Sequence, residues 1–276
     1  MNNATLFQHI KTKRSYLCVG LDSDLEKIPA HLKKLENPVF EFNRRIIDAT
    51  APYALAYKPN LAFYESRGEE GWQDLEKTAR YIKKNYPDIF LIADAKRGDI
   101  GNTSKMYAKA FFETMNFDAI TVAPYMGEDS LSPFLNFEEK YIIILALTSN
   151  QGASDFQYFT SKEGKPLFTE VIEKSKSWGT TDNIMYVVGA TKASLLVNIR
   201  ETVPGHFLLV PGVGAQGGSL EEVAKYGMNK QCGLLVNASR SIIFASPGED
   251  FDKKAAEECR NLQSIMENTL ENADLL

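Results

Sequence analysis

Charged residues follow an apolar segment near the middle of the chain, where an ordinary core strand would simply stop. Residues 89–95 predict a buried strand, Asp94 and Lys96 stand two positions apart at its end, and Asp99 follows. Because side chains alternate along a strand, Asp94 and Lys96 would share one face, with Cα atoms roughly 6.6 Å apart. Charges on the inward face of a strand are costly unless they are paired or used. We therefore expect chemistry here, as at the carboxyl ends of strands in α/β barrels.

A second lysine stands at the end of another predicted strand, residues 54–58. Lys58, Asp94, Lys96 and Asp99 could form an array of alternating charge, in which opposite charges about 4 Å apart attract by about 4 kcal/mol at an effective dielectric constant of 20. Such an array would keep Lys96 protonated, as a general acid requires, and would place a fixed carboxylate beside an anionic group of a substrate. The alternative is a structural ring of ion pairs that closes the mouth of a barrel.

A glycine-rich segment lies near the end of the chain and matches the pattern G-x-G-x-x-G at Gly212, Gly214 and Gly217. A dinucleotide-binding fold would place this pattern in its first βα unit, with an acidic residue about 20 positions later. Here the pattern follows the seventh predicted strand, so a phosphate cradle fits better. Arg240, after the eighth strand, would clamp the phosphate with two hydrogen bonds. The alternative is a tight turn and a surface arginine.

Short apolar segments alternate with helical patterns along the whole chain. Eight strands are predicted at 16–21, 54–58, 89–95, 119–122, 141–147, 185–189, 206–210 and 233–238. Helices are predicted at 40–50, 72–84, 104–115, 167–177, 192–203, 220–226 and 252–272. This alternation predicts an α/β fold, a (β/α)8 TIM barrel forming a single domain over residues 1–276, with an open doubly wound sheet as the alternative. The irregular segment 150–166 is a candidate lid.

Composition excludes several classes of protein. The 276 residues carry a formal net charge of −5, and no basic block indicates a nucleic-acid surface. The apolar segments are too short to span a membrane, and residues 1–14 contain no secretory signal. Three cysteines without CxxC spacing indicate reduced thiols and a cytoplasmic location. We expect a small-molecule substrate and neither nucleic acid nor membrane as a partner.

A metal site is not favoured by the pattern. Asp22, which follows the first predicted strand, could join Asp94 and Asp99 around a divalent cation. Two ammonium groups in the same pocket oppose such a site. The three histidines do not have ligand-like spacing, so we expect neither a metal nor a cofactor.

Taken together, these segments resemble the orotidine 5′-phosphate decarboxylase family. Residues 94–103, DAKRGDIGNT, contain its D-x-K-x-x-D core and trailing threonine, and further matches occur in order at GLD (20–22), YKPN (57–60), TS (148–149), PGVGAQ (211–216) and SRS (239–241). The length and the TSNQG segment (148–152) resemble the longer bacterial subgroup, type 2. A sister decarboxylase acting on a keto-sugar phosphate shares D-x-K-x-x-D but uses magnesium and lacks the YKPN lysine. Lys58 therefore decides between the two.

The resemblance implies cofactor-independent decarboxylation of orotidine 5′-monophosphate to UMP and CO2, the last step of de novo UMP biosynthesis. Lys96 would protonate C6 of the pyrimidine as CO2 departs, and Asp94 would lie against the departing carboxylate. Lys58 and Asp99 would complete the array.

The resemblance also implies a homodimer, in which Asp99 and Thr103 reach the partner's site. The remaining implied contacts are with parts of the substrate: Lys58 and Asp22 with the ribose hydroxyls, Ser149 with the pyrimidine, and Gln216 and Arg240 with the phosphate.

Two other functions remain compatible with the residues. One is an aldolase in which Lys58 or Lys96 forms a Schiff base. The other is a non-catalytic barrel that binds a nucleotide.

Overall fold

Eight parallel strands close into a barrel in sequence order in the computed structural model, which describes residues 1–190, 193–213 and 218–276. The strands are β1 (Leu17–Gly20), β2 (Ala54–Lys58), β3 (Phe90–Arg97), β4 (Ala119–Val122), β5 (Tyr141–Leu147), β6 (Ile184–Val188), β7 (Leu208–Pro211) and β8 (Leu234–Ala238). The barrel prediction is confirmed, and the pairing of β1 with β8 excludes the open sheet.

Helices cover the outside of the barrel. In the described residues they are α1 (Asn3–Lys13), α2 (Pro38–Thr50), α3 (Ala62–Glu65), α4 (Gly68–Asn85), α5 (Gly101–Lys109), α6 (Ser132–Leu135), α7 (Ala153–Phe156), α8 (Leu167–Ser175), α9 (Leu195–Thr202), α10 (Leu220–Gly227), α11 (Arg240–Ile243) and α12 (Phe251–Asn272). Short 3-10 turns occur at Leu32–Lys34, Pro124–Met126 and Glu128–Ser130, and a π-helical turn at Ala110–Thr114 follows α5. None of the helices in the described part is long and apolar enough to cross a membrane.

The strands are apolar on both faces because the barrel interior and the helical layer bury them from two sides. β5 illustrates this, since six of its seven residues are buried. The two faces can be told apart at β2. The Tyr57 hydroxyl bonds Thr50 Oγ1 at 2.7 Å and the Ile47 carbonyl at 3.0 Å, both on α2, so Tyr57 points outward. By alternation, Lys58 points into the barrel.

The first helix was not predicted. Asn2 begins α1 by accepting a hydrogen bond from the Thr5 amide at 2.9 Å, and Arg14, with φ 49°, ends it. Its apolar stripe is short, because only Leu6 and Ile10 place apolar side chains in the core. This stripe is too sparse for a sequence pattern to reveal.

The segment 150–166 is structured. It contains α7 and a β-bridge between Thr160 and Pro166. The amide of Gln157 ties it to the end of β5, accepting from the Thr148 N–H at 2.8 Å and donating to Thr148 Oγ1 at 2.8 Å. Tyr158 packs edge-on against Phe168. Its role as a lid stays a prediction.

Candidate active site

The carboxylate of Asp94 lies between two ammonium groups at the carboxyl ends of β2 and β3. Lys58 Nζ is 2.9 Å from Asp94 Oδ2, and Lys96 Nζ is 2.6 Å from Asp94 Oδ1. The side chains of Lys58 and Asp94 are 6% and 12% exposed, whereas that of Lys96 is 50% exposed. The predicted alternating array is therefore present over three of its four members, with Lys96 reaching the carboxylate from the rim.

Local backbone geometry at the end of β3 produces this arrangement. Between the paired positions Ala93–Ile120 and Arg97–Val122, β3 advances four residues while β4 advances two, so β3 carries a bulge. Lys96 lies in this bulge with φ 50°, a left-handed conformation that is rare for a lysine. Asp94 and Lys96 do meet, as predicted, but through this turn of the chain rather than through simple strand alternation.

Charge and burial act in opposite directions on the central pair. Burial alone would lower the pKa of Lys58, but the carboxylates of Asp94 and Asp22 outweigh burial and raise this pKa above its usual value. Burial would likewise raise the pKa of Asp94, yet the ammonium groups of Lys58 and Lys96 hold it well below its usual range. The pair is therefore fully ionised near neutral pH.

Asp22 lies beside this pair, after β1. Ser239 Oγ donates to Asp22 Oδ2 at 2.7 Å and lies 3.2 Å from the Gly20 carbonyl oxygen. A Cβ on Gly20 would stand 2.7 Å from Ser239 Cβ, so only glycine permits this close approach of the two strand ends. The other carboxylate oxygen of Asp22, Oδ1, is buried without a hydrogen-bond partner among the described residues. A buried carboxylate oxygen in that condition is available to a ligand hydroxyl.

A cavity of about 190 Å3 opens above these groups. Its lining comes from the ends of β1, β2, β3, β7 and β8, with Asp22, Lys58, Asn60, Asp94, Pro211, Gly212, Val213, Asn237, Ala238, Ser239, Arg240 and Ser241. Arg240 is exposed at the start of α11, and its guanidinium makes no ion pair within the described part of the chain. The cavity lining therefore includes a cation without an ion-pair partner among the described residues.

Asp99 and Thr103 do not join this group within the chain. Asp99 accepts a hydrogen bond from the Ile100 amide at 2.7 Å and makes no ion pair with the described lysines. Thr103 is exposed in the first turn of α5. Asp99 lies between β3 and α5, and neither residue belongs to the buried core.

Of the two remaining predicted contacts, Ser149 and Gln216, the structure describes only Ser149. Ser149 follows β5, half-buried, with its backbone against Gly189, where an added Cβ would be 2.9 Å from the Ser149 nitrogen. Gln216 lies outside the described residues, as do Gly214 and Gly217. Gly212 is described, and its φ of 94° agrees with a turn that requires glycine.

Sequence reasoning missed Thr121 on β4, which is 1% exposed. Its Oγ1 accepts from the Lys96 amide at 2.9 Å and donates to Asp94 Oδ1 at 3.1 Å. The only signal in the sequence was a hydroxyl within an otherwise apolar four-residue strand. Sequence reasoning also gave no role to Asn237 on β8, although it is buried, lines the cavity and lies with Oδ1 3.6 Å from Cys18 Sγ.

The conceivable metal site is not assembled in the described part of this chain. Across the described ranges, no three His, Cys, Asp or Glu side chains are grouped so as to hold a metal ion. Asp94, the acid at its centre, has an ammonium group on each oxygen.

Comparison with known proteins identifies the family. The sequence profile of the family described as orotidine 5'-phosphate decarboxylase / HUMPS matches residues 15–255. An orotidine 5'-phosphate decarboxylase from Phocaeicola vulgatus is 60% identical over 270 residues, covering 98% of this chain and 99% of the relative. The chain belongs to the orotidine 5'-phosphate decarboxylase / HUMPS family. The resemblance carried by the motifs is confirmed at this level.

Solved structures of the family share the barrel. That of Leishmania donovani OMP decarboxylase superposes with a TM-score of 0.80 at 36% identity, covering 96% of this chain and 100% of that one. That of Leishmania donovani UMP synthase gives a TM-score of 0.80 at 38% identity and covers 94% of this chain. This chain spans 56% of the synthase, about half of its length.

Proposed function

We propose that this protein decarboxylates orotidine 5′-monophosphate to UMP and CO2 without a cofactor, as the last step of de novo UMP biosynthesis. The observation that carries the proposal is the Asp94 carboxylate, in a side chain 12% exposed, held between Lys58 and Lys96 at the carboxyl end of the barrel. Such a site supplies fixed charge around a reacting carbon and needs no electron sink. The names of the close relatives support the same substrate.

The reaction balances with a single proton donor. The bond between C6 and the carboxylate carbon breaks, its electron pair stays on C6, and CO2 leaves. The Lys96 ammonium gives a proton to C6. Lys96 then takes a proton from water, which returns the protein to its starting state. The half-exposed side chain of Lys96 favours this return. Asp94 lies against the departing carboxylate, and the repulsion between the two anions is relieved as neutral CO2 forms.

The polar groups around the cavity match the remainder of a nucleotide. The unpartnered Oδ1 of Asp22 and the ammonium of Lys58 would bind the ribose hydroxyls. Arg240 would hold the phosphate together with Gln216, and Ser149 would contact the pyrimidine. Binding energy from the phosphate would orient the ring over Lys96.

The Schiff-base alternative is disfavoured at Lys58. A lysine that attacks a carbonyl needs a lowered pKa, so that the neutral amine is present. The carboxylates of Asp94 and Asp22 raise the pKa of Lys58 instead, despite burial.

The assay is the loss of orotidylate absorbance in the presence of EDTA. The proposal predicts undiminished turnover with the chelator and none in Lys96→Ala. Lys84→Ala is a matched control, because Lys84 is exposed near the end of α4, at the other end of the barrel. Turnover by Lys96→Ala at the rate of the control variant would remove Lys96 from the reaction.

We further propose a cytoplasmic homodimer in which Asp99 and Thr103 serve the partner's site. Exposed apolar side chains lie on the segment of Asp99 and on a neighbouring one, with Ile100 59% and Tyr125 92% exposed. The two segments are adjacent, because the Ala123 amide donates to the Arg97 carbonyl at 2.9 Å. A solvent-exposed apolar patch of this kind favours a self-complementary interface.

Mixed dimers test this arrangement. Lys96→Ala and Asp99→Asn are each inactive by expectation. If Asp99 acts across a two-fold interface, equilibrated mixtures of the two variants contain heterodimers with one intact site, restoring about a quarter of wild-type activity. If Asp99 acts within its own chain, both sites of every heterodimer are defective and no activity returns. Sedimentation in parallel reports whether dimers are present.

A further inference from the structure

Thr121 connects the two central residues of the site without lining the cavity. Its single hydroxyl accepts from the Lys96 backbone N–H at 2.9 Å and donates to Asp94 Oδ1 at 3.1 Å. The same carboxylate oxygen accepts from Lys96 Nζ at 2.6 Å. One buried side chain thus joins the Lys96 backbone to the carboxylate that also binds the Lys96 ammonium.

The bulge in β3 explains why a hydroxyl is needed at this position. The extra residues of β3 between its pairings with Ile120 and Val122 take Lys96 out of the regular ladder with β4. A backbone N–H that has lost its partner in the ladder needs another acceptor. Thr121 Oγ1 supplies it from the neighbouring strand. The left-handed conformation of Lys96, φ 50°, is unfavourable for this residue type and persists only where its surroundings enforce it.

The direction of the second hydrogen bond follows from the first. Because Thr121 Oγ1 accepts from Lys96, its own proton is free to point at Asp94, whose low pKa leaves both carboxylate oxygens as acceptors. Asp94 Oδ1 is therefore held from two sides, by a charged donor at the rim and by a neutral donor within the sheet.

We infer that Thr121 is a positioning residue for the reaction. It fixes the Lys96 backbone and the Asp94 carboxylate, so that Lys96 Nζ is held within reach of C6 of the bound substrate. This inference rests on the proposed decarboxylation. Thr121 is 1% exposed and is absent from the described lining of the cavity. It should therefore affect the chemical step and leave nucleotide binding unchanged.

Three substitutions separate the hydroxyl from side-chain volume. Thr121→Val keeps the shape and removes the hydroxyl, Thr121→Ala removes both, and Thr121→Ser keeps the hydroxyl. Thr50→Val is a matched control, because Thr50 is also a fully buried threonine with two hydrogen bonds, but on α2 outside the barrel. Each variant is measured for kcat, for UMP affinity by calorimetry, and for thermal unfolding.

The expected result is a loss of kcat of roughly 10–100-fold in Thr121→Val and Thr121→Ala, as follows from small displacements of a reacting group. UMP affinity should stay within about threefold, and Thr121→Ser should retain most of the wild-type kcat. Having two hydroxyl-free variants keeps the test decisive if one of them does not fold.

The inference is wrong if kcat follows side-chain volume, so that Thr121→Val equals wild type while Thr121→Ser and Thr121→Ala fall. It is also wrong if kcat and UMP affinity fall in parallel, or if Thr50→Val gives the same loss of kcat as Thr121→Val. An inactive wild-type protein would instead refute the proposed function, whereas an active wild type with unchanged Thr121 variants would refute only the role of Thr121.

Discussion

Replacing Asp94 by asparagine should destabilise the fold as well as stop the reaction. The substitution leaves Lys58 Nζ, in a side chain 6% exposed, without the carboxylate that lies 2.9 Å away. At that distance, opposite charges attract by about 6 kcal/mol at an effective dielectric constant of 20. The cost of having buried both groups offsets part of this attraction. We therefore expect Asp94→Asn to lower the free energy of unfolding by about 3–5 kcal/mol at neutral pH, as for other broken buried pairs.

The geometry also predicts an asymmetry. Lys58→Met leaves Asp94 with its second ammonium partner, Lys96 at 2.6 Å, whereas Asp94→Asn leaves Lys58 with Asp22 as the one carboxylate acting on it among the described residues. Lys58→Met should therefore cost less than Asp94→Asn. The pKa of Asp94 is lowered in the folded state, so the stabilisation by its charge is present above about pH 4 and is lost as the pH falls further. The difference in free energy of unfolding between wild type and Asp94→Asn should therefore shrink as the pH falls.

Urea unfolding followed by circular dichroism at neutral and acidic pH measures these differences. Lys254→Met is the control, because Lys254 pairs with Glu257 at a similar distance of 2.7 Å but both side chains are about half exposed. It should change stability little. Stability of Asp94→Asn equal to that of the control variant would refute the argument that Asp94 holds a buried ammonium group in place.

Three further outcomes are expected. Lys96→Ala should lower kcat by roughly 10³-fold or more, because the proton donor is lost, while calorimetry shows UMP affinity near that of wild type. Retained UMP affinity with retained turnover would contradict the role of Lys96. Arg240→Ala should weaken UMP binding roughly 10–100-fold and leave uridine binding unchanged, since only UMP carries the phosphate. Equal losses for both ligands would place the phosphate elsewhere. Burial and then the charge of Arg200 lower the pKa of His206 to about 4. His206 therefore stays neutral in the folded state at pH values below about 6.5, where the unfolded chain binds a proton. The free energy of unfolding should fall by about 3 kcal/mol between about pH 6.5 and about pH 4. His206→Leu should flatten that part of a stability–pH curve, and an unchanged slope would show that His206 is not its source.

The barrel and much of the site could be predicted because they depend on local pattern. Strands buried on two faces leave uninterrupted apolar segments, and β2, β4 and β5 were predicted to the residue. Lysine and aspartate at the ends of β2 and β3 converge because parallel strands of a barrel end on one rim.

The rest depends on features that alternation does not encode. The bulge shifts the register between β3 and β4 and extends β3 to Arg97, beyond its predicted end. Because the sequence does not reveal this register shift, it does not indicate that the Thr121 hydroxyl meets the Lys96 amide. α5 is shorter than predicted, because a π-helical turn at Ala110–Thr114 replaces its last part. Asp99 lies apart from the other charges because it follows the end of β3, where strand alternation no longer applies and its carboxylate accepts from the Ile100 amide.

The most direct test is a decarboxylation assay on the purified protein in EDTA, comparing wild type, Lys96→Ala and Lys84→Ala with orotidine 5′-monophosphate. A site that works by fixed charge should convert the substrate to UMP at the same rate with and without the chelator, in wild type and Lys84→Ala only. Conversion that stops on chelation, or that continues in Lys96→Ala, would contradict catalysis by fixed charge with Lys96 as the proton donor.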